Sequence, residues 1–421
     1  MIQTQEKEQV IKAINELGRR VTPADVASKT GLPILQTTAA LNTIASETQG
    51  HLEVSTTGDV AYKFNPGFQT TYLAKGIKKV FQQVVKTTLN IGYFLLRISF
   101  GVMLIVSFIL IVFLIVAAVF IMMKGSSDSD DNGGGGFSFD FFDYMILRDI
   151  LWWGTWGPYP TPTYIDYDRP TTRVHKKSNF FLNVFSFLFG DGNPNLTLEE
   201  RKWQAVAQAI KSHHGVVTAE QLAPFTGADP QNEDGVLPVL VRFNGKPEVT
   251  DAGHIVYQFP ELQVSAATGK LHRVPKFLQE FYWKFTNVPG ESLIPVYFLA
   301  GFNFLGSWWL FFELHRLPQL MPLMPLVTAL VIYGSLFVAV PTIRYFIIKA
   351  MNNRIEARNY QREQYSLALA TPSSDLQLKL QQAENMAIKE KRLTTDQVIY
   401  TTEKDALEQE FDDDFDASPG S

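Results

Sequence analysis

VIKAINELGRRVTPADVASKTG (residues 10–31) and VAQAIKSHHGVVTAEQLAPFTG (residues 206–227) superpose without a gap at an offset of 196, with eight identities in 22 positions. At an offset of 195, EVSTTGDVAYKF (53–64) falls on EVTDAGHIVYQF (248–259). One small module therefore occurs twice. Between the copies lies IGYFLLRISFGVMLIVSFILIVFLIVAAVFIMM (91–123), whose one charge is Arg97. From Ile98 onward the run is long enough for a span of roughly 20 residues.

Both copies give the same order of local signals. Val10, Ile14 and Leu17, and then Trp203, Val206 and Ile210, recur at helical spacing and predict a first amphipathic helix. Thr22, Pro23 and Asp25 open a second helix with a capping threonine, a proline at the first helical position and an acid three residues on. Thr218 and Gln221 fit the capping-box pattern. Gly31 and Gly227 end these helices where a left-handed residue is favoured. Leu35, Leu41 and Ile44 predict a third helix. Alternation on either side of Thr57-Gly58 and Ala252-Gly253 predicts a hairpin.

Helix, short helix, helix and two-stranded wing is a winged-helix-like order. Charge argues against the DNA reading that often accompanies it. Residues 1–66 carry six Lys/Arg against seven Asp/Glu, and residues 198–262 carry five against nine. PILQTTAALNTIAS, the third helix of copy one, has no cation, and its counterpart ADPQNEDGVLPVLV is acidic. Phosphate neutralisation supplies most non-specific affinity, so nucleic acid is not an expected partner.

The expected order is a winged-helix-like module over 1–68, a basic juxtamembrane segment over 75–97 and a transmembrane helix over 98–123. A Gly/Ser/Asp linker (124–136), an aromatic interfacial segment (137–189) and a second module (196–262) follow. Transmembrane helices over 293–312 and 323–348, a helical region over 351–411 and an acidic tail over 412–421 complete it. The fold class is thus membrane α-helical plus α/β. Lys75, Lys78, Lys79 and Lys86 place the first module on the cytoplasmic or stromal side. Basic residues flank the late hairpin on both sides too. Three spans cannot satisfy all these biases unless something between 124 and 200 returns the chain. FSFDFFDYMILRDILWWGTWGPYP (137–160) reads as interfacial or re-entrant. SNFFLNVFSFLF (178–189) suits a helix on anionic lipid or in a protein groove, with core packing on the second module as the competing reading.

No catalytic motif is found. The chain has no cysteine, which excludes disulfides, thiolate metal sites and cysteine nucleophiles. GDGNPN (190–195) lacks the Lys-Ser/Thr of a phosphate loop and reads as a turn. His213 and His214 are adjacent and do not share a helical face, so no metal is expected there. The net charge of −5 argues against a generic polyanion binder. The polar N-terminus, MIQTQEKEQ, has no apolar signal region, so no cleavable secretory peptide is expected.

FSFLFGDGNPN (185–195), GVVTAEQLAPFTG (215–227), VLPVLVRFNGKPEV (236–249) and YTTEKDALEQE (400–410) resemble a family of uncharacterised membrane proteins of cyanobacteria and chloroplasts. The resemblance implies a thylakoid or plasma membrane of photosynthetic lineage. Plant members are loosely labelled iron–sulfur cluster biosynthesis proteins. With no cysteine here, that label implies no cluster ligand. The expected role is a non-enzymatic scaffold or assembly factor, without cofactor or metal, that holds a membrane protein partner. A membrane-tethered DNA-binding regulator and a transporter subunit are the alternatives. Partner or lipid contact is expected at Trp152, Trp153, Trp156, Phe181 and Phe185. The wing residues Tyr62, Phe64, Tyr257 and Phe259 join them, with core packing as the competing reading for those four.

Overall fold

The computed structural model describes residues 4–69, 77–125, 160–161, 176–177, 179–266, 274–388 and 391–403. The chain starts with α1 (Thr4–Glu16), β1 (Arg20–Val21), α2 (Pro23–Thr30), α3 (Ile34–Thr48) and the hairpin β2 (His51–Ser55) and β3 (Val60–Lys63). The long helix α4 (Ile77–Gly125), a two-residue ribbon of β4 (Pro160–Thr161) with β5 (Lys176–Lys177), and α5 (Phe180–Phe189) follow. Then α6 (Leu198–Ser212), β6 (Val216–Val217), α7 (Ala219–Thr226), α8 (Leu237–Phe243), β7 (Lys246–Val249) and β8 (Ile255–Gln258) run in the same order as α1 to β3. Next come β9 (Val264–Ser265), α9 (Gly290–Leu314), α10 (Met324–Ala370), α11 (Ser374–Asn385), β10 (Lys391–Arg392) and β11 (Val398–Thr401).

The local signals act as their chemistry dictates. Thr22 Oγ1 accepts from the Asp25 N–H while the Asp25 carboxylate accepts from the Thr22 N–H, a reciprocal cap on α2. Thr218 and Gln221 cap α7 in the same way. β1 pairs with β3 so that Val21 faces Tyr62, and β6 pairs with β8 so that Val217 faces Tyr257.

The described chain divides into two compact units. One comprises Met1–Val80, Asn195–Phe281 and Arg354–Ser421; the other comprises Phe81–Pro194 and Tyr282–Asn353. In the first unit, Val10, Ile14, Leu17, Leu41, Ile44, Tyr62 and Phe64 form one core. Val206, Ile210, Leu222, Phe243, Tyr257 and Phe259 form a second, and Ala24, Ala27 and Ile34 from α2 and α3 are buried in it. Burying one side chain such as Ile34 stabilises by about 1.5–3 kcal/mol. The two halves are therefore packed together and share apolar surface.

The region after α10 corrects an expectation. Residues 351–411 were expected to be helical, but α11 ends at Asn385 and two strands follow. β10 pairs in parallel with β9, and β11 pairs antiparallel with β2, giving the order β1-β3-β2-β11. Val398, Ile399, Tyr400 and Thr401 are all β-branched or aromatic and suit a strand. They satisfy an edge that would otherwise be bare. The corresponding edge of the other sheet is β7, and there Pro247 takes the place of Leu52. Thr250 N–H donates inward to His254 O, so Pro247 faces outward. Its missing N–H costs the β7–β8 ladder nothing and removes a donor from the free edge. The acidic tail 412–421 lies outside the described residues.

The second unit holds the apolar helices. Among the described residues three are long and apolar enough to cross a membrane: Ile91–Met122, Gly290–Leu314 and Pro318–Ala370. The expected spans fall within them, while α4 takes in most of the basic segment and α10 runs on well past residue 348. Leu104 and Phe108 of α4 cluster with Leu293 and Val296 of α9 and Phe337 of α10. Further along, Ile111, Leu114 and Ala118 cluster with Leu310, Leu314, Val327 and Leu330. Thus α4 and α9 run parallel and α10 antiparallel to them. α5 packs among the apolar helices. Its Phe180, Val184, Phe187 and Leu188 are buried in the cluster with α4, α9 and α10. FFLNVFSFLF has no charged face to leave in water, so it is buried on several sides. A Cβ at Gly101 would lie 2.7 Å from Phe181 Cα, so only glycine lets α5 approach α4 so closely.

Candidate interaction surfaces

Asp25 is the polar hub where the two halves of the first unit meet. It is 1% exposed. Oδ2 accepts from the Thr22 N–H at 3.1 Å and the Ala266 N–H at 2.8 Å; Oδ1 accepts from Ser265 Oγ at 2.6 Å and Lys211 Nζ at 3.3 Å. Beside it, Arg242 Nε donates to Gly31 O at 2.7 Å, and its guanidinium lies 4.4 Å from the Trp203 ring centroid. Burial pushes the Arg242 guanidinium down from its ordinary value, opposed by Glu199 and Glu6. This join is made by protein groups from both halves.

A second polar join fastens the segment after β9 to α10. Glu280 accepts from Arg358 Nε at 2.8 Å, Arg358 Nη2 at 2.6 Å and Arg362 Nη1 at 2.7 Å. Hydrogen bonds from Arg358, then Arg362, hold the Glu280 carboxyl below its ordinary value against the opposing effect of burial. The Asn359 side chain accepts from the Glu280 N–H and donates to its carbonyl, each at 2.8 Å, as a neighbouring strand would. Within the second unit Asn352 does the same for Trp283, at 2.8 and 2.9 Å.

Two helix faces of the first unit remain open. On α3, Leu35, Gln36, Ala39, Asn42 and Ser46 are exposed, and none is charged. On α8, Leu237, Pro238 and Val241 are exposed, while Arg242 turns inward to Gly31. Leu35 is 76% and Val241 82% exposed. Leu35 follows the core residue Ile34 by about 100° around the helix, which takes it off the buried stripe. The sequence reading sets Leu35 on the same apolar spacing as Leu41 and Ile44, and the structure takes it off that buried stripe; Val241 is not singled out there.

The sequence-derived contact residues fare differently. Tyr62, Phe64, Tyr257 and Phe259 are buried, so they are core side chains and not a contact surface. The antiparallel partners β1 and β6 turn them inward; Tyr62 also donates to Asn42 Oδ1 at 2.7 Å. Phe185 is buried on α4, and Phe181 is half-buried. Trp152, Trp153 and Trp156 lie outside the described residues.

GDGNPN is a turn ending α5. Gly190 takes φ +81°, and Asp191 accepts from Ser186 Oγ at 2.7 Å and the Asn287 N–H at 2.6 Å. Arg344 donates to the carbonyls of Phe187, at 3.0 Å, and Phe285. His213 Nδ1 pairs with Gln221 Nε2 at 3.2 Å. Among the described residues no group of three or more His, Cys, Asp or Glu is placed to hold a metal.

No family model matches the chain, and no solved structure matches it. An uncharacterised chloroplastic protein of Arabidopsis thaliana is 34% identical over 438 residues, covering 98% of this chain and 81% of its own length. Its chloroplast location and the three apolar helices are compatible with a chloroplast-type membrane protein. Identity at that level across nearly the whole chain includes both units, and the chain belongs to the family of this chloroplastic protein.

Proposed function

We propose that the protein is a non-enzymatic scaffold or assembly factor of a photosynthetic membrane, thylakoid or plasma, which grips a protein partner through tandem winged-helix-like modules. The observation that carries this is the outer face of α3 and α8. These are the positions a DNA-reading helix would fill with cations, and they present Leu35, Leu237 and Val241 without a Lys or Arg. Desolvating exposed aliphatic groups rewards a protein surface, whereas a phosphate backbone gains nothing from them.

The shared core supports a topology as well. Two modules packed on one another lie on one membrane face, the one that the basic start of α4 assigns to the cytoplasm or stroma. α4 leaves that face, and α9 and α10 leave it and return.

The test is affinity purification of the full-length protein from native membranes, comparing wild type with Leu35→Lys plus Val241→Lys. Both positions are exposed, so the variant folds normally. Loss of a stoichiometric partner is expected. Unchanged partner recovery, or tight salt-dependent DNA binding by the full chain, overturns the reading.

A further inference from the structure

Arg97 is the one charge in the first apolar run, and it lies six residues inside the candidate span Ile91–Met122. That is about 9 Å along the helix axis, within reach of the headgroup level for a long snorkelling side chain. Tyr93, Phe94, Leu95 and Leu96 around it are exposed, so this part of α4 faces the surrounding medium, which in a span is lipid. The guanidinium carbon lies 5.0 Å from the Phe185 ring centroid and 5.7 Å from that of Tyr93. Its Nε is buried and has no hydrogen-bond partner.

Several other arginines in the described chain have a carboxylate or carbonyl partner, even where one nitrogen is left without a hydrogen bond, as in Arg362. Arg344 donates to two carbonyls, Arg358 and Arg362 to Glu280, and Arg316 to Glu313. Among the described residues no carboxylate pairs with Arg97. An unpaired charge within a span is costly, and such residues find a counter-group. Two aromatic rings hold the planar guanidinium in place without neutralising it. The group it lacks among the described residues is an anion at headgroup depth that accepts two parallel N–H bonds, the geometry a phosphate oxygen pair provides.

We propose that Arg97, held by Tyr93 and Phe185, binds the phosphodiester headgroup of an anionic membrane lipid. The lipid would seal the junction of α4 with α5 and tie the α4–α5 pair to one leaflet.

The experiment uses the full-length protein in nanodiscs of phosphatidylcholine, with and without phosphatidylglycerol, read by thermal unfolding and by native mass spectrometry of retained lipid. Wild type is expected to retain phosphatidylglycerol and to unfold at higher temperature with it. Arg97→Gln is expected to weaken retention about tenfold or more, the usual loss for a charge-assisted hydrogen bond. Phe185→Leu keeps the charge and a packed core while removing the ring, and is expected to weaken retention about threefold or more. Retention equal to that of wild type in both variants overturns the proposal. So does a stabilisation that inorganic phosphate reproduces in pure phosphatidylcholine, which would assign the site to a free anion.

Discussion

Asp25→Ala tests the join between the two halves of the first unit. The substitution removes four contacts at once: two backbone N–H groups, the Ser265 hydroxyl and the Lys211 ammonium. Were Asp25 only a helix cap, its loss would cost about 1 kcal/mol. It is also one half of a buried ion pair, with the Lys211 side chain 9% and the Asp25 side chain 2% exposed. Breaking such a pair leaves an uncompensated charge and costs about 3–5 kcal/mol. For a unit of roughly 200 residues this corresponds to a fall of about 6–20 °C in Tm. The assay is thermal unfolding of the full-length protein in detergent. It is joined by a distance measurement between spin labels at Lys12 and Asp251, one exposed site in each half. The chain has no native cysteine, so both labels are unique. Asp25→Ala is expected to broaden the distance distribution as well as lower Tm. A loss near 1 kcal/mol with an unchanged distribution would refute the hub, leaving Asp25 as a cap alone.

Gly31 and Gly227 occupy matching positions in the two copies but should respond differently to alanine. Each pays about 1–2 kcal/mol for the left-handed backbone. A Cβ at Gly31 meets Trp203 Cβ at 2.8 Å and Gln204 N at 3.0 Å, whereas at Gly227 the nearest atom is the movable Arg362 Nε at 3.2 Å. Gly31→Ala is therefore expected to cost about 1–3 kcal/mol more in denaturant unfolding, and equal losses would contradict the packing. Glu280→Gln tests the second polar join through pH. Because the folded carboxyl is held low, its stabilisation is complete above the ordinary glutamate range, about pH 4.3, and disappears as pH falls through the lower folded value. The stability gap between wild type and variant should be largest near neutrality and narrow on acidification; a gap that widens as pH falls would contradict the ion pairs.

The parts legible in the sequence are those whose causes lie within a few residues. Thr22 with Asp25 and Thr218 with Gln221 sit three apart and cap α2 and α7 where expected. The apolar helices were visible as charge-free runs, and the absence of cations from α3 was countable. What escaped depends on distant chain. The cap occupies one side of the Asp25 carboxylate, and nothing local tells that its remaining lone pairs accept from Ser265, 240 residues on. An aromatic residue in a strand points inward or outward according to the sheet's other face, so Tyr62 and Tyr257 could not be placed before β1 and β6 were paired with them. Likewise, the run from Val398 to Thr401 stands beside acidic, helix-favouring sequence, and its strand character rests on the edge of β2 that receives it.

That last pairing has a temporal side. Leu52 donates to Thr402 Oγ1 and accepts from the Thr402 N–H, across 350 residues of chain. At synthesis rates of about 5–20 residues per second, β2 waits about 20–70 s for the strand that covers it. The apolar helices leave the ribosome within that interval. An uncovered β2 thus coexists with newly made apolar helices, and a chain halted before β11 keeps a sticky edge. Closure of the first sheet thus marks a chain whose apolar helices have already been made.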